Sequence, residues 1–269
     1  MKDLSGPDGG VRAVQIALDV LEVVAFAHEE MGVTQISERL GLTKGSVHRH
    51  LITLVDRGYL VQNQATSRYA IGPKARLLSR LAPETDLAHI AEGPMRELRD
   101  KLGQTVVLST ISPRGALVIF TVASDSPIEI GVRPGSELPF HSSAQGKAML
   151  AFAQHPFVQR ILARPLVRLT DKTITDPDKL TQELERIRRE GFASAAEEAL
   201  IGINAIAAPV FDANDAASAS VAIVGSIQFL PIIPDEKLIA DLRECCEKIS
   251  RKLGNGRMRA RGGPALRMS

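Results

Sequence analysis

The stretch from Val33 to Leu60, VTQISERLGLTKGSVHRHLITLVDRGYL, decides how the rest of the chain is read. Its spacing predicts two helices joined by a tight turn. Thr34 is placed to cap a short helix on which Ile36 and Leu40 fall four apart on one face. Gly41 ends that helix, because glycine takes positive φ without steric penalty. Thr43 caps a second helix whose apolar residues Val47, Leu51, Leu54 and Val55 repeat with helical period. The opposite face carries Lys44, Ser46, His48, Arg49 and, further along, Arg57. A helix that enters the DNA major groove needs such a face, cationic and rich in hydrogen-bonding side chains near its N-terminus. Beyond Gly58, the segments Tyr59–Gln62 and Arg68–Ile71 alternate like two short strands about a polar turn. Helix, turn, helix and hairpin together predict a winged helix-turn-helix, with Thr34, Thr43 and Arg68 joining the helix face as DNA-facing residues.

At 269 residues the chain suits two domains, and 44% hydrophobic residues are enough for two cores. Tryptophan is absent and aromatics are 4%, so those cores must be aliphatic. No uninterrupted apolar run reaches the ~18 residues of a membrane span. The opening MKDLSGPDGG lacks the apolar core of a signal peptide, and the cytoplasm is the expected compartment. Cys245 and Cys246 are adjacent on an expected helix, where neighbouring side chains diverge, so they read as buried small residues. The net charge of +2 is unevenly spread. Residues 1–80 carry +2, residues 248–269 carry +7 with no acid, and the body between them carries −7. An acidic body holds itself off phosphates while a basic head approaches them.

In chain order, residues 1–10 read as disordered and Val11–Glu30 as a long helix with Val14, Leu18, Leu21, Val24 and Ala25 on one stripe. Residues 11–72 form the expected DNA-binding domain. Residues 73–102, helical and broken by Pro83, read as a linker. From Thr105 the period changes: TVVLSTIS, ALVIFTVAS and PIEIGV predict an antiparallel meander, and INAIAAPVF and SASVAIVGSIQFL two further strands. Helices are expected after Ala144, over 178–190 and after Asp235. A sheet of about five strands flanked by helices makes residues 103–254 an α+β domain of sensor type, followed by a basic, disordered tail over 255–269.

Enzymatic motifs fail on inspection. Gln145-Gly146-Lys147 lacks the distal glycine and final hydroxyl of a phosphate loop. Ser143 and Lys147 are four apart rather than three, and no nucleophile elbow is present. The six histidines show no metal spacing. Glu197 and Glu198 read as loop residues that cap or solvate. No catalytic residue, metal or cofactor is therefore expected. A hydrolase built on the second domain remains the enzymatic rival, without a nucleophile–base set.

The run Leu42–Arg49, followed by Leu54 and Gly58-Tyr59, resembles the recognition helix and wing of IclR-type bacterial transcriptional regulators. His50 departs from the pattern, standing where the family usually has an apolar residue. Pro139–Ala148 is similar to the family's P-x-H-x-x-A-x-G-K-A segment, and Glu197-Glu198-x-x-x-Gly202 with Ile206–Val210 to its second signature. The likeness runs from about residue 11 to residue 253. It implies a GAF-like second domain that binds a small-molecule effector. By position the effector site would be lined by Ile128, Ile130, Ala144, Gln145, Ala195, Ile203, Ala205, Ala222 and Val224, with His141, Gln145 or Arg133 meeting a polar end. Ala195 stands where the acid-binding members commonly carry an acidic residue, Ala205 where they carry cysteine, and Ala222 and Val224 where they carry serine. A buried carboxylate without partners costs several kcal/mol, so the expected effector is hydrophobic or aromatic. The expected partners are that effector, a second copy or a dimer of dimers, and a pseudo-palindromic DNA operator. The expected role is a repressor. A C-terminal domain that serves only oligomerisation is the other rival.

Overall fold

The computed structural model describes residues 10–27, 29–81, 87–126 and 130–255. The chain divides into two compact units, with the boundary after Glu84.

The first unit runs α1 (Arg12–Ala25), α2 (Val33–Leu40), α3 (Lys44–Asp56), β1 (Leu60–Gln62), β2 (Tyr69–Ile71) and α4 (Pro73–Leu81). The turn between α2 and α3 passes through Gly41 at φ 63°, where a side chain would be strained. The Thr43 hydroxyl then accepts the Ser46 amide and caps α3. Val47, Leu51 and Leu54 turn inward to meet Val20 and Val24 of α1, Ile36 of α2, and Leu60 and Tyr69 of the hairpin. Met31 pairs with Tyr69 as an isolated bridge, which ties the α1–α2 connection to the hairpin.

Two expectations for this unit change. Thr34 does not cap α2: the helix begins at Val33 after Gly32, and the Thr34 carbonyl accepts the Ser37 hydroxyl. The inward face of α1 is set by Val20 and Val24, whereas Val14 and Leu18 are exposed. The helix is thus apolar on two sides and covers only one within this unit. His50, anomalous by resemblance, is half-buried.

The second unit contains α5 (Leu87–Leu102), β3 (Thr105–Ile111), β4 (Ala116–Val122), β5 (Glu137–Leu138), α6 (Ala144–Ala151), α7 (His155–Leu162), α8 (Pro177–Glu190), β6 (Ala193–Ser194), β7 (Ile203–Phe211), β8 (Ala217–Ser226) and α9 (Glu236–Lys252). Its antiparallel sheet has the order β5-β4-β3-β8-β7-β6. Strand alternation sends Val106, Leu108, Ile206, Ala208, Val221 and Ile223 to one face, under α5 and α9. Val107, Ala207, Ala222 and Val224 go to the other, under α6 and α8.

α5, counted with the linker from sequence, packs Ala91, Met95 and Leu98 into this sheet and belongs to the second unit. The expected third strand over PIEIGV does not form in its described part: residues 130–132 are irregular, and the edge strand is Glu137–Leu138. Its register pairs Leu117 with Glu137, so the partner of β4 is supplied by a later segment. The expected disordered segments at 1–9 and 256–269 lie outside the described residues. Both cysteines are buried, and burial pushes the Cys245 thiol up to about 12 and that of Cys246 well above its ordinary value. Neither is poised as a thiolate.

Candidate DNA-reading face and effector chamber

On α3 the buried residues Val47, Leu51 and Leu54 leave Thr43, Lys44, His48, Arg49 and Arg57 exposed and Ser46 half-buried. The N-terminal turn, with its partial positive charge, lies at the Lys44–Val47 end of this face. The arrangement can meet phosphate and base edges together.

The wing is held by an acid that sequence reading passed over. Glu30 accepts the Asn63 side-chain amide on both carboxylate oxygens, at 3.0 and 3.1 Å, and the Thr66 hydroxyl at 3.1 Å. Its backbone carbonyl accepts Arg68 Nη1 at 3.0 Å. Arg68, expected to face DNA, is therefore engaged in fixing the hairpin to the α1–α2 connection. Ser67 sits in the left-handed region at φ 55°, a conformation these tethers maintain.

In the second unit, two rows cross the sheet beneath α6. In one, Ala193 pairs with Ala207, Ala207 with Ala222, and Ala222 with Val107. In the next, the Ala195 amide donates to the Ala205 carbonyl, Ala205 pairs with Val224, and Val224 with Thr105. Ala144, Ala195, Ala222 and Val224 fall in one apolar cluster, with Ile130, Ile203 and Ala205 packed against it. Most of the expected effector residues are thus brought together. Their small side chains also let α6 lie close to the sheet, and every residue of α6 is buried. Gly146 marks the closest approach, since an added Cβ would stand 2.5 Å from Phe140 Cα.

The expected polar contacts fare less well. His141 Nε2 is 2.9 Å from the Val167 carbonyl and is already occupied. Arg133 is exposed. Gln145 is buried on α6, and Ile128 lies outside the described residues.

The charged feature on α6 is one that sequence reading dismissed. Lys147 is fully buried, with Nζ 2.6 Å from Glu198 Oε1 and 3.7 Å from Glu183 Oε1. Burial pushes the Glu198 carboxyl up, against the opposing pull of Lys147. Glu183 is also penalised by burial, but Arg186 and Lys147 together hold its carboxyl below the ordinary value. Thr170 and Thr173 donate their hydroxyls to the carbonyls of Glu197 and Glu198, both at 2.7 Å. Glu197 itself sits at φ 58° and accepts the Gly202 amide. Motif templates could not find this set, because its spacing matches none of the catalytic or metal-binding patterns. The available signal was a lysine inside a helix with no other charged residue, which requires a buried counter-charge.

A cleft of about 200 Å³ opens at the end of the sheet, lined by Gln104, Thr105, Ser124, Ile130, Val224, Gly225, Ser226, Gln228 and Phe229. Among the described residues it shares Ile130 and Val224 with the expected effector set.

Two family models match the chain: the IclR helix-turn-helix domain over residues 13–64 and the bacterial transcriptional regulator IclR C-terminal domain over residues 80–251. Among curated relatives, the HTH-type transcriptional regulator BhcR of Paracoccus denitrificans is 34% identical over 219 residues, 81% of this chain and 78% of that protein. The crystal structure of an IclR transcriptional regulator from Alicyclobacillus acidocaldarius superposes with a TM-score of 0.71 at 25% identity, covering 90% of this chain and 98% of that one. An IclR homologue from Microbacterium hydrocarbonoxydans, complexed with 4-hydroxybenzoate, superposes at 0.72 with 22% identity and the same coverage, a likeness of fold. Among the described residues no helix is long and apolar enough to cross a membrane.

Proposed function

The chain belongs to the IclR family of bacterial transcriptional regulators, and on that premise we propose that it is a cytoplasmic, ligand-responsive repressor whose effector is hydrophobic or aromatic. The observation that carries the effector class is the pair of rows centred on Ala207–Ala222 and Ala205–Val224. They present methyl groups where a small oxoacid would need donors, and each Å² of apolar ligand buried there contributes about 25 cal/mol. The fold itself accommodates such a ligand in the Microbacterium homologue, which holds 4-hydroxybenzoate.

For the DNA-facing residues, the reading assigns Thr43, Lys44, Ser46, His48, Arg49 and Arg57 to the operator, with Arg68 and Thr34 supporting from the wing and from α2. One head offers few phosphate contacts, so a dimer or dimer of dimers on a pseudo-palindromic site supplies the affinity. The exposed apolar stripe of Val14 and Leu18 on α1, continued by Val11 at its N-cap, is available for that pairing.

A second reading has its own observation. Ala193, Ala207 and Ala222 are completely covered, so these alanines serve close packing of α6 in a domain that only oligomerises. Operator-fragment mobility shifts with a panel of aromatic compounds and small oxoacids separate the two. Release of DNA by aromatic compounds supports the repressor reading, release by pyruvate or glyoxylate overturns its effector class, and no response to any compound favours the oligomerisation domain.

A further inference from the structure

The cleft at the end of the sheet has a composition that selects by charge. Ile130, Val224 and Phe229 supply apolar wall, and every other described residue lining it is uncharged. Its hydroxyls are already engaged, though only Ser124 Oγ donates its proton within the fold. Ser124 Oγ donates to the Gly103 carbonyl and accepts the Ser126 amide, Thr105 Oγ1 accepts the Ser124 amide, and Ser226 Oγ accepts the Gln228 amide. The two side-chain amides are not: among the described residues, those of Gln104 and Gln228 make no hydrogen bond. Gln104 is half-buried, and its Oε1 passes over β8 at Gly225, where an added Cβ would stand 2.3 Å away. The glycine gives Gln104 its place over the strand.

Resting on the effector reading above, we propose that this cleft binds the polar head of the effector and that the head is neutral, a carboxamide, phenol or lactone on an aromatic ring. A carboxamide side chain offers one donor edge and one acceptor, which pair with a neutral amide or hydroxyl. A carboxylate entering the cleft would lose hydration and find no cation on the described walls. The volume fits one ring, since a cavity of about 150 Å³ takes benzene. Val224 and Ile130 belong to both the cleft and the alanine-floored cluster, so a ring held by Gln104 abuts the proposed chamber.

The test compares benzamide with benzoate, alike in shape but one neutral and the other anionic, by titration calorimetry on the full-length protein, followed by operator release. Benzamide is expected to bind at least about tenfold more tightly than benzoate. Gln104→Leu should weaken benzamide about tenfold while leaving operator affinity without ligand unchanged, and Gln104→Lys should invert the preference towards benzoate. Equal binding of the two probes, binding of neither, or binding indifferent to both substitutions overturns the proposal. If only Ala205→Leu blocks an aromatic response, the ligand sits on the alanine floor and the regulatory reading stands without this cleft. If Gln104 governs benzamide binding but the operator is not released, the cleft stands and the regulatory reading fails.

Discussion

Lys147 on α6 and Glu198 on the loop after β6 form a buried ion pair of 2.6 Å, and this pair joins the helix over the sheet to the loop that begins at Ala195. Without it, the fully buried ammonium would keep only the longer contact to Glu183, at 3.7 Å, beside an aliphatic cluster. The pair therefore matters less for net stability than for what its disruption leaves behind.

Lys147→Met is expected to destabilise the protein by about 3–5 kcal/mol at neutral pH, because it strands the Glu198 carboxylate in the interior. The double variant Lys147→Met/Glu198→Leu should recover most of that loss. Urea unfolding of the three proteins measures both effects, and a double variant no more stable than the single one would show that the pair is not the cause.

The same site gives a signed pH dependence. Burial raises the Glu198 carboxyl above its ordinary 4.5, so the folded state holds this proton more firmly than the unfolded state. Its contribution to stability is full below 4.5 and is lost as pH rises through the raised value. Glu183 runs the other way: its carboxyl is lowered, and its contribution is present above 4.5 and lost as pH falls through the lowered value. Glu198→Gln removes the first component, so its stability should gain on that of the wild type as pH is raised from about 4 to 7. A constant difference across the range would contradict the assignment.

On the head, Arg49 and Arg68 should respond differently to truncation. Arg49 is exposed on α3, and Arg49→Ala should cost about 1–3 kcal/mol of operator affinity and relax preference at one base position. Arg68 is tied to the Glu30 carbonyl, so Arg68→Ala should loosen the hairpin and speed amide exchange over residues 63–68. Footprinting and hydrogen exchange on both variants distinguish reading from anchoring. Unchanged exchange in Arg68→Ala would return that residue to direct DNA contact.

Leu18 is half exposed on α1, with Val14 and Val11 beside it along the helix. Leu18→Glu should shift a dimer towards monomer in sedimentation and weaken operator binding, while the thermal midpoint of the head is nearly unchanged. A variant that remains dimeric would remove α1 from the interface.

Ala205 and Ala222 are unequal places to fill the proposed effector site. Ala222 is fully covered by α6, and Ala222→Leu should cost about 1–3 kcal/mol of stability by overpacking. Ala205 is only half-buried, so Ala205→Leu should block an aromatic effector at little cost to the fold. Thermal unfolding in parallel with ligand titration checks the contrast.

The two periods in the sequence already determined the architecture. Apolar spacing over Val47–Val55, a hydroxyl at Thr43 and glycine at Gly41 are local signals, and each acts within a turn of helix. Strand alternation over 105–122 and 203–226 likewise sent residues to two faces without knowledge of their partners. Three separated motifs carried the family. Tertiary structure alone decided what depends on distant partners. It placed α5 in the second core, drew the edge strand from Glu137–Leu138, and turned Val20 rather than Val14 inward on α1. It also brought Lys147 to Glu198 across 51 positions and committed Arg68 to the Glu30 carbonyl across 38. A charged side chain reads in sequence as solvated, and only the packing around it shows whether water or a counter-charge meets it.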